Sequence, residues 1–350
     1  MKIWIDVLTP KQANFFAPLV KRLMQRGSEV VVTTRKYREV NQMLRIRKIS
    51  AIVVGRHGGA TLKNKLISSV ERMKNLAEIL SSSRCDLAVS FASPEAARVS
   101  YGLSIPHCCI SDSPHAEAVS RLTVPLSRIL FTPKAVPNSA WTQYGIEADK
   151  VIRYNALDPV AWLRHFRPNP SVLNELGLDI SKPIIVLRPE ETQASYLLRH
   201  ISKSSLSILI ARALKRSIPN SQIVLIPRYD LAHFTEKLAG KSAIVPSSAI
   251  DGSSLLHYSN LFLGGGGTMT AEAALLGVPA VSFYPAAATY VERYLTKLHL
   301  VVRVGSVRSI VKFALRVMNN PAFSEAFKAR SKRIMSCMEN PISVIEKHLE

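Results

Sequence analysis

No stretch of this chain is apolar for long enough to span a bilayer as a helix. The longest candidate, residues 261–288, is broken by four glycines, Glu272, Pro279 and Pro285, which excludes a lipid-embedded helix. Cysteine is scarce. Cys85, Cys108, Cys109 and Cys337 show no CxxC spacing, so the expectation is buried thiols in a reducing compartment, not a disulfide framework or a zinc site. Two phosphate-binding signatures are missing. No Lys-Ser or Lys-Thr follows the glycine run, and no GxGxxG opens the first half. None of the eight aspartates stands in a D-x-D pair, the usual means of holding a cation against a diphosphate. The expectation is a chain that uses neither a metal nor a cofactor.

Acidic side chains are also few. The sequence has 46 Lys and Arg against 25 Asp and Glu, a net charge of +21. The densest stretch, residues 35–74, carries 11 basic residues against Glu39 and Glu71. Three readings compete: attraction to an anionic membrane surface, a general adaptation of composition, or nucleic-acid binding. Nucleic acid ranks last, because the stretch holds one aromatic, Tyr37, where interleaved aromatics would be needed.

What remains is a chain able to build cores. It has 350 residues, 47% hydrophobic and 20% charged, enough for two domains. The opening MKIWIDVL is interrupted by Asp6 and lacks a small-residue cleavage site, so it reads as a strand of a cytoplasmic protein, not a signal peptide. Strands are expected at 2–8, 29–33, 51–54, 86–91 and 105–111. Between them lie helices at 12–26, 62–80 and 94–101, with Pro18 placed in the first turn of the earliest one. Prolines 159, 168, 170 and 183 punctuate residues 158–183, which places a linker at 166–183. The pattern restarts with strands at 184–187, 222–226, 243–245, 261–263 and 280–283, helices at 195–215, 231–239, 253–258 and 269–276, and a helical tail. Strands without polar alternation, alternating with helices, predict parallel sheets covered on both faces. The expected domains are 1–165 and 184–320, doubly wound and facing across a cleft, with 321–350 packing back on the first.

The strongest chemical signal is GGGGTMTAEAALLGVP, residues 264–279. A buried strand runs through Gly264, Gly265, Gly266 and Gly267 straight into a helix. Glycines permit close backbone approach and positive φ, and a helix start offers N–H groups to a phosphate. Thr268 is placed as the cap or on the phosphate, and Glu272 on the ribose hydroxyls. The bland alternative is a tight turn with Glu272 as a first-turn acid. A second group, Asp112, His115 and Glu117, follows the strand at 105–111. It could supply a general base, or simply cap a helix with Pro114 in its first turn. Arg188, Glu190 and Arg228 end other strands and could meet a diphosphate. The turn at His57, Gly58 and Gly59 could let backbone approach a substrate.

At residues 264–279 the chain resembles the nucleotide-sugar-binding half of GT-B enzymes, among them a lipid-linked GlcNAc transferase and the UDP-GlcNAc 2-epimerases. From MKIWIDVLTPKQANFF through HGGA, SPEAAR, DSPHAEAVSRLTVPL, RYNALD, RPE, PRY and DGSSLLHYSNLFLGGGGTMTAEAALLGVP, it is identified as a member of a mostly archaeal family known as domain of unknown function 354. The resemblance implies a GT-B-like α/β fold of two Rossmann-like domains. It implies a nucleotide-sugar partner, a UDP-sugar in particular, with Gly265–Thr268 on the diphosphate, Glu272 on the ribose, and Asp112, His115 and Glu117 near the sugar. Many family members carry His where Asn14 stands, which makes Asn14 a candidate substrate contact. The chain departs from the lipid-linked transferases in having LTPKQAN in place of their GGTGGH loop, and from the epimerases in having LRPEE without their histidine. The resulting expectation is a glycosyltransferase acting on a membrane-associated or lipid-linked acceptor, with residues 35–74 and 122–130 toward the membrane. An epimerase and a non-catalytic binding subunit are the alternatives.

Overall fold

The fold was obtained as a computed structural model that describes residues 1–59, 61–190, 206–227, 231–240 and 242–349. Packing divides the chain into two units. Unit 1 comprises 1–164 with 338–350, and unit 2 comprises 165–337. Residues 166–183, expected as a separate linker, therefore belong to unit 2, where the helix Ser171–Leu176 buries Val172 and Leu173. Most of the tail, including the helix Pro321–Ser336, is also part of unit 2, and only its last 13 residues join unit 1.

Unit 1 is built on seven strands: β1 (Lys2–Val7), β2 (Glu29–Lys36), β3 (Ile52–Arg56), β4 (Leu87–Ser90), β5 (His107–Ile110), β6 (Ile129–Pro133) and β7 (Val151–Tyr154). Every pairing is parallel, in the order β3-β2-β1-β4-β5-β6-β7. The chain builds outward from β1 in one direction, then returns to β4 and builds in the other. The carboxyl ends of β1 and β4 thus flank a topological switch point, where doubly wound sheets hold ligands. Trp4, Ile3 and Ile5 of β1 are fully buried, each worth roughly 1.5–3 kcal/mol for an aliphatic side chain. The helix after β1 runs from Pro10 to Gln25, starting earlier than its periodicity suggested. Thr9 accepts from the N–H of Gln12 and Pro10 fills the first turn, so Pro18 falls inside the helix. The helix Pro341–Glu346 packs on this one, with Glu346 paired to Arg22 and Arg26.

Unit 2 carries β8 (Ile184–Arg188), β9 (Gln222–Leu225), β10 (Leu261–Gly264), β11 (Ala280–Ser282) and β12 (Val301–Arg303), again all parallel, in the order β12-β11-β10-β8-β9. Its switch point lies between β8 and β10. The segment expected as a strand at 243–245 makes two isolated bridges, from Ile244 to Val224 and from Ala243 to Ala239. Of the helix expected at 195–215, only the part from Leu206 lies among the described residues, and it runs to Ser217.

Candidate functional site

In unit 1 the strand carboxyl ends gather a partly buried cation and two carboxylates. Lys11 stands in the first turn of the helix after β1. That turn is pinned by Gln12, whose side chain accepts from the N–H of Leu8 at 2.5 Å and donates to the carbonyl of Phe91 at 3.2 Å. The Lys11 ammonium lies 2.6 Å from Asp112 Oδ2, just beyond β5, and 2.7 Å from Asp158 Oδ2, beyond β7. It also sits 4.3 Å from the ring centroid of Phe91. Tyr154, the last residue of β7, donates to Asp158 Oδ1 at 2.5 Å, and Ser113 donates to Asp112 Oδ1 at 2.7 Å.

The two carboxyls differ in surroundings and therefore in proton affinity. Asp158 is buried. Burial first, and then the charge of Asp112, push it up from 3.8 to about 7 against the pull of Lys11. Asp112 is less enclosed, and its side chain keeps 19% of its surface exposed. Burial opposes its ionisation, but Lys11 and the hydrogen bond from Ser113 hold it down at about 2. Burial works against the Lys11 charge as well, and the two carboxylates outweigh it and raise its pKa. Burial, then the Asp158 charge, raises Tyr154. The group holds a lysine cation, one firmly ionised carboxylate and one carboxyl poised to exchange a proton near neutrality. Neighbouring carboxyls with opposed proton affinities are the arrangement that acid–base chemistry uses.

His115 is exposed and lies within the electrostatic reach of Asp112 and Lys11. Partial desolvation lowers its pKa, Asp112 raises it and Lys11 lowers it further. Glu117 does not join the group. It is 65% exposed and bonded to Arg121 at 2.8 Å, one turn along a surface helix. That helix starts at Glu117, so Asp112, Ser113 and Pro114 precede it as a turn and do not cap it. Asn14 is buried and accepts from Arg47 Nε at 2.7 Å, a packing role. His57 stacks on Tyr37 with ring centroids 4.9 Å apart. It lines a hollow of about 390 Å³ with Gly58, Gly59, Arg56 and Ile67. A Cβ at Gly58 would lie 2.6 Å from Lys65 Cα, so close backbone packing already requires glycine there.

Beside the Lys11 group lies a buried ion pair that sequence reasoning did not find. Asp6, in β1, takes 2.6 Å and 3.1 Å bonds from Arg72 and 2.7 Å bonds from Thr33 and Ser93. Arg72 also donates to the Val54 carbonyl at 3.0 Å. Burial opposes the Asp6 charge, but Arg72 and the hydroxyls lower its pKa. The network ties β1, β2, β3, the helix Leu62–Ser83 and the start of the helix Pro94–Gly102 together at the switch point.

In unit 2 the glycine run occupies the switch point between β10 and β8. The Gly265 N–H donates to the Arg188 carbonyl at 2.9 Å, and a Cβ on Gly265 would lie 2.6 Å from Glu190 Cα. Gly266 and Gly267 take φ of +99° and +96°, a region costly for side-chain-bearing residues. The helix then runs Thr268–Leu275, with Gly267 in the cap position, where the sequence suggested Thr268. Glu272 is buried and receives a hydrogen bond from Ser253, on the helix Gly252–His257. That bond orients a carboxylate one turn inside a helix whose start offers unsatisfied N–H groups. Arg188 donates to the carbonyls of Ile226 and Pro227 at 3.0 and 2.9 Å, so its guanidinium braces β9, where a diphosphate contact was expected. Glu190 accepts from Ser207 at 2.7 Å. Arg228 lies outside the described residues. Among the described residues no three His, Cys, Asp or Glu side chains gather as metal ligands, and no helix is long and apolar enough to cross a membrane.

The family described as "Protein of unknown function (DUF354)" matches residues 1–344. An uncharacterized protein of Methanocaldococcus jannaschii is 32% identical over 318 residues, covering 89% of this chain and 90% of its own. A UDP-GlcNAc 2-epimerase from Neisseria meningitidis, solved bound to UDP-GlcNAc, superposes with a TM-score of 0.76 at 18% identity, covering 100% of this chain and 99% of that one. A spinosyn rhamnosyltransferase, solved with spinosyn aglycone, superposes with a TM-score of 0.66 at 12% identity over 100% of both chains. The fold is thus the two-domain α/β architecture shared by GT-B glycosyltransferases and UDP-GlcNAc 2-epimerases.

Proposed function

The chain belongs to the DUF354 family of proteins of unknown function, and on its own residues we propose that it is a metal-independent glycosyltransferase using a nucleotide-sugar, a UDP-sugar by preference. The observation that carries this reading is the Lys11–Asp112–Asp158 group, which combines an ionised carboxylate with a second carboxyl near neutrality. Asp112 is assigned as the base. It takes the proton of an acceptor hydroxyl as that oxygen bonds to the anomeric carbon, while the bond from that carbon to the diphosphate breaks and its electron pair leaves on the diphosphate. Lys11, a cation throughout, bridges and positions Asp112 and Asp158, and Asp158 in its ionised form takes up the proton. His115, on the exposed side, is assigned to the sugar. In unit 2, Gly265–Thr268 and the helix start meet the diphosphate charge, and Glu272, oriented by Ser253, takes the ribose hydroxyls. Metal independence draws support from the lack of any D-x-D pair. The nucleotide-sugar draws support from the UDP-GlcNAc bound to the Neisseria protein.

One observation favours a second reading, a sugar-nucleotide 2-epimerase. A carboxylate and a protonated carboxyl bridged by one lysine can remove a proton and return one without any acceptor. Incubation with UDP-GlcNAc in deuterated water separates the two. The transferase reading expects no deuterium at sugar carbon 2 and UDP release that rises with an added acceptor. In either reading Asp112→Asn lowers turnover about 10²-fold or more with the fold intact. Wild-type turnover in Asp112→Asn would remove the group from the chemistry. Deuterium at carbon 2 with no acceptor would replace the transferase by the epimerase.

A further inference from the structure

The first turns of the helix Leu62–Ser83 leave an apolar face uncovered. Leu62 and Leu66 are 64% and 66% exposed, and Val70 and Ile67 are exposed as well. Leu62, Leu66 and Val70 are spaced by four and form one stripe, with Ile67 beside it. The helix follows β3, so this stripe lies at the carboxyl edge of the parallel sheet, the same edge that carries Lys11, Asp112 and Asp158 in unit 1.

Cations surround it. Lys36 and Arg56 are register partners at the ends of β2 and β3, and Arg56 shares the hollow with Ile67. Arg38 and Lys63 are exposed nearby in the chain. The local acids, Glu39 and Glu71, meet Arg38 and Arg56 at 3.9 and 4.0 Å, Glu39 half-buried and the other three side chains exposed, contacts at the limit of ion pairing that leave most of the positive charge unneutralised. Of the 11 basic residues in 35–74, Arg72 is spent on Asp6 and Arg35 is largely buried. The other nine remain near the surface.

Charge decides what such a face takes. A second copy docked by two-fold symmetry would set this basic rim against itself. An anionic bilayer offers both complements, acyl chains for the leucines and headgroup phosphates for the rim. We propose that this face docks unit 1 on an anionic membrane surface, bringing the Lys11 edge to acceptors held in the lipid. The acceptor part of the proposal rests on the transferase reading, and the docking itself does not.

The test is co-sedimentation of the full chain with vesicles of phosphatidylcholine containing about 30% phosphatidylglycerol, with pure phosphatidylcholine as the control. Wild type binds the mixed vesicles and not the neutral ones, and binding weakens as salt rises. Leu62→Gln with Leu66→Gln lowers the partition constant at least about tenfold. Lys63→Glu lowers it about fivefold or more. The same variants retain wild-type nucleotide-sugar binding, so loss of donor binding and loss of docking are read separately. Wild type that ignores anionic vesicles, or a Leu62/Leu66 variant that binds like wild type, overturns the proposal. So does a variant whose only change is loss of a dimer in sedimentation equilibrium.

Discussion

Lys11 sits between two aspartates that answer it differently. Asp112 accepts its charge near solvent, and Asp158 resists ionisation because it is buried beside Asp112 and receives the Tyr154 hydroxyl. The consequence is a stability that depends on pH in opposite senses. Asp158 binds its proton more tightly folded than unfolded, so its contribution is present below about pH 4 and is lost as pH rises toward 7. Asp112 does the reverse, stabilising above about pH 4 and losing that contribution as pH falls toward 2. Asp158→Asn should remove a decline on the order of 2–4 kcal/mol between pH 4 and 7, while the acid loss below pH 4 persists. Urea unfolding across pH 2–7 checks it, and a variant curve parallel to wild type would deny the raised Asp158. Asp112 was legible in the sequence because it follows a buried strand directly. Lys11 is 101 residues from its partner and reads as an ordinary helix-surface lysine. Asp158 and Tyr154 lie in RYNALD, visible as a motif but without an assignable role, since only folding brings the ends of β1, β5 and β7 together. Glu117 shows the opposite failure, a residue of suitable type whose helix turns it to water.

At the scale of elements, the glycine run was legible as a strand-to-helix turn, and the structure explains why glycine is needed. Gly266 combines a φ of +99° with a Cβ position that would overlap the Tyr284 ring. Gly266→Ala should cost about 1–3 kcal/mol and weaken nucleotide-sugar binding. Gly27, at φ +82° with nothing within 4 Å, provides the control. Gly27→Ala should pay only the backbone cost, about 1 kcal/mol, and leave binding unchanged. Equal costs, measured by urea unfolding, would mean that Tyr284 gives way and the loop is not tightly built. Several elements escaped the sequence reading for identifiable reasons. β6 ends in a proline, β7 is four residues long, and the helix Arg38–Ile46 buries only Val40, Met43 and Leu44 among basic neighbours. The apolar segment 122–130, expected at a membrane, is partly interior. Val124 and Leu130 are buried, the latter within β6, and only Leu122 is an exposed large apolar residue.

For the molecule as a whole, the sequence pattern conveyed two doubly wound units and a tail returning to the first, but it put that return at 321–350, whereas only the last 13 residues, 338–350, join unit 1. Hydrophobic periodicity reports which face of an element is buried, not which body buries it. Met338, Ile342, Ile345 and Leu349 are buried there, and Glu346 pairs with Arg22 and Arg26. Truncation after Cys337 removes four buried apolar side chains, roughly 1.5–3 kcal/mol each, a loss comparable to the whole stability of a domain. Calorimetry of the truncated chain should lose the transition of unit 1 and keep that of unit 2. An unchanged scan would show the segment to be dispensable.

The proposed activity requires a nucleotide-sugar held by unit 2, and thermal unfolding against UDP-, GDP-, CDP- and dTDP-sugars tests that directly, with Glu272→Ala alongside. A ligand at about 100 times its Kd adds about 2.7 kcal/mol. A UDP-sugar is expected to raise the wild-type midpoint and leave that of Glu272→Ala where it was. If no nucleotide-sugar moves the wild type, or if the variant shifts equally, the glycine run is a turn and nothing more, and the proposed activity falls with it.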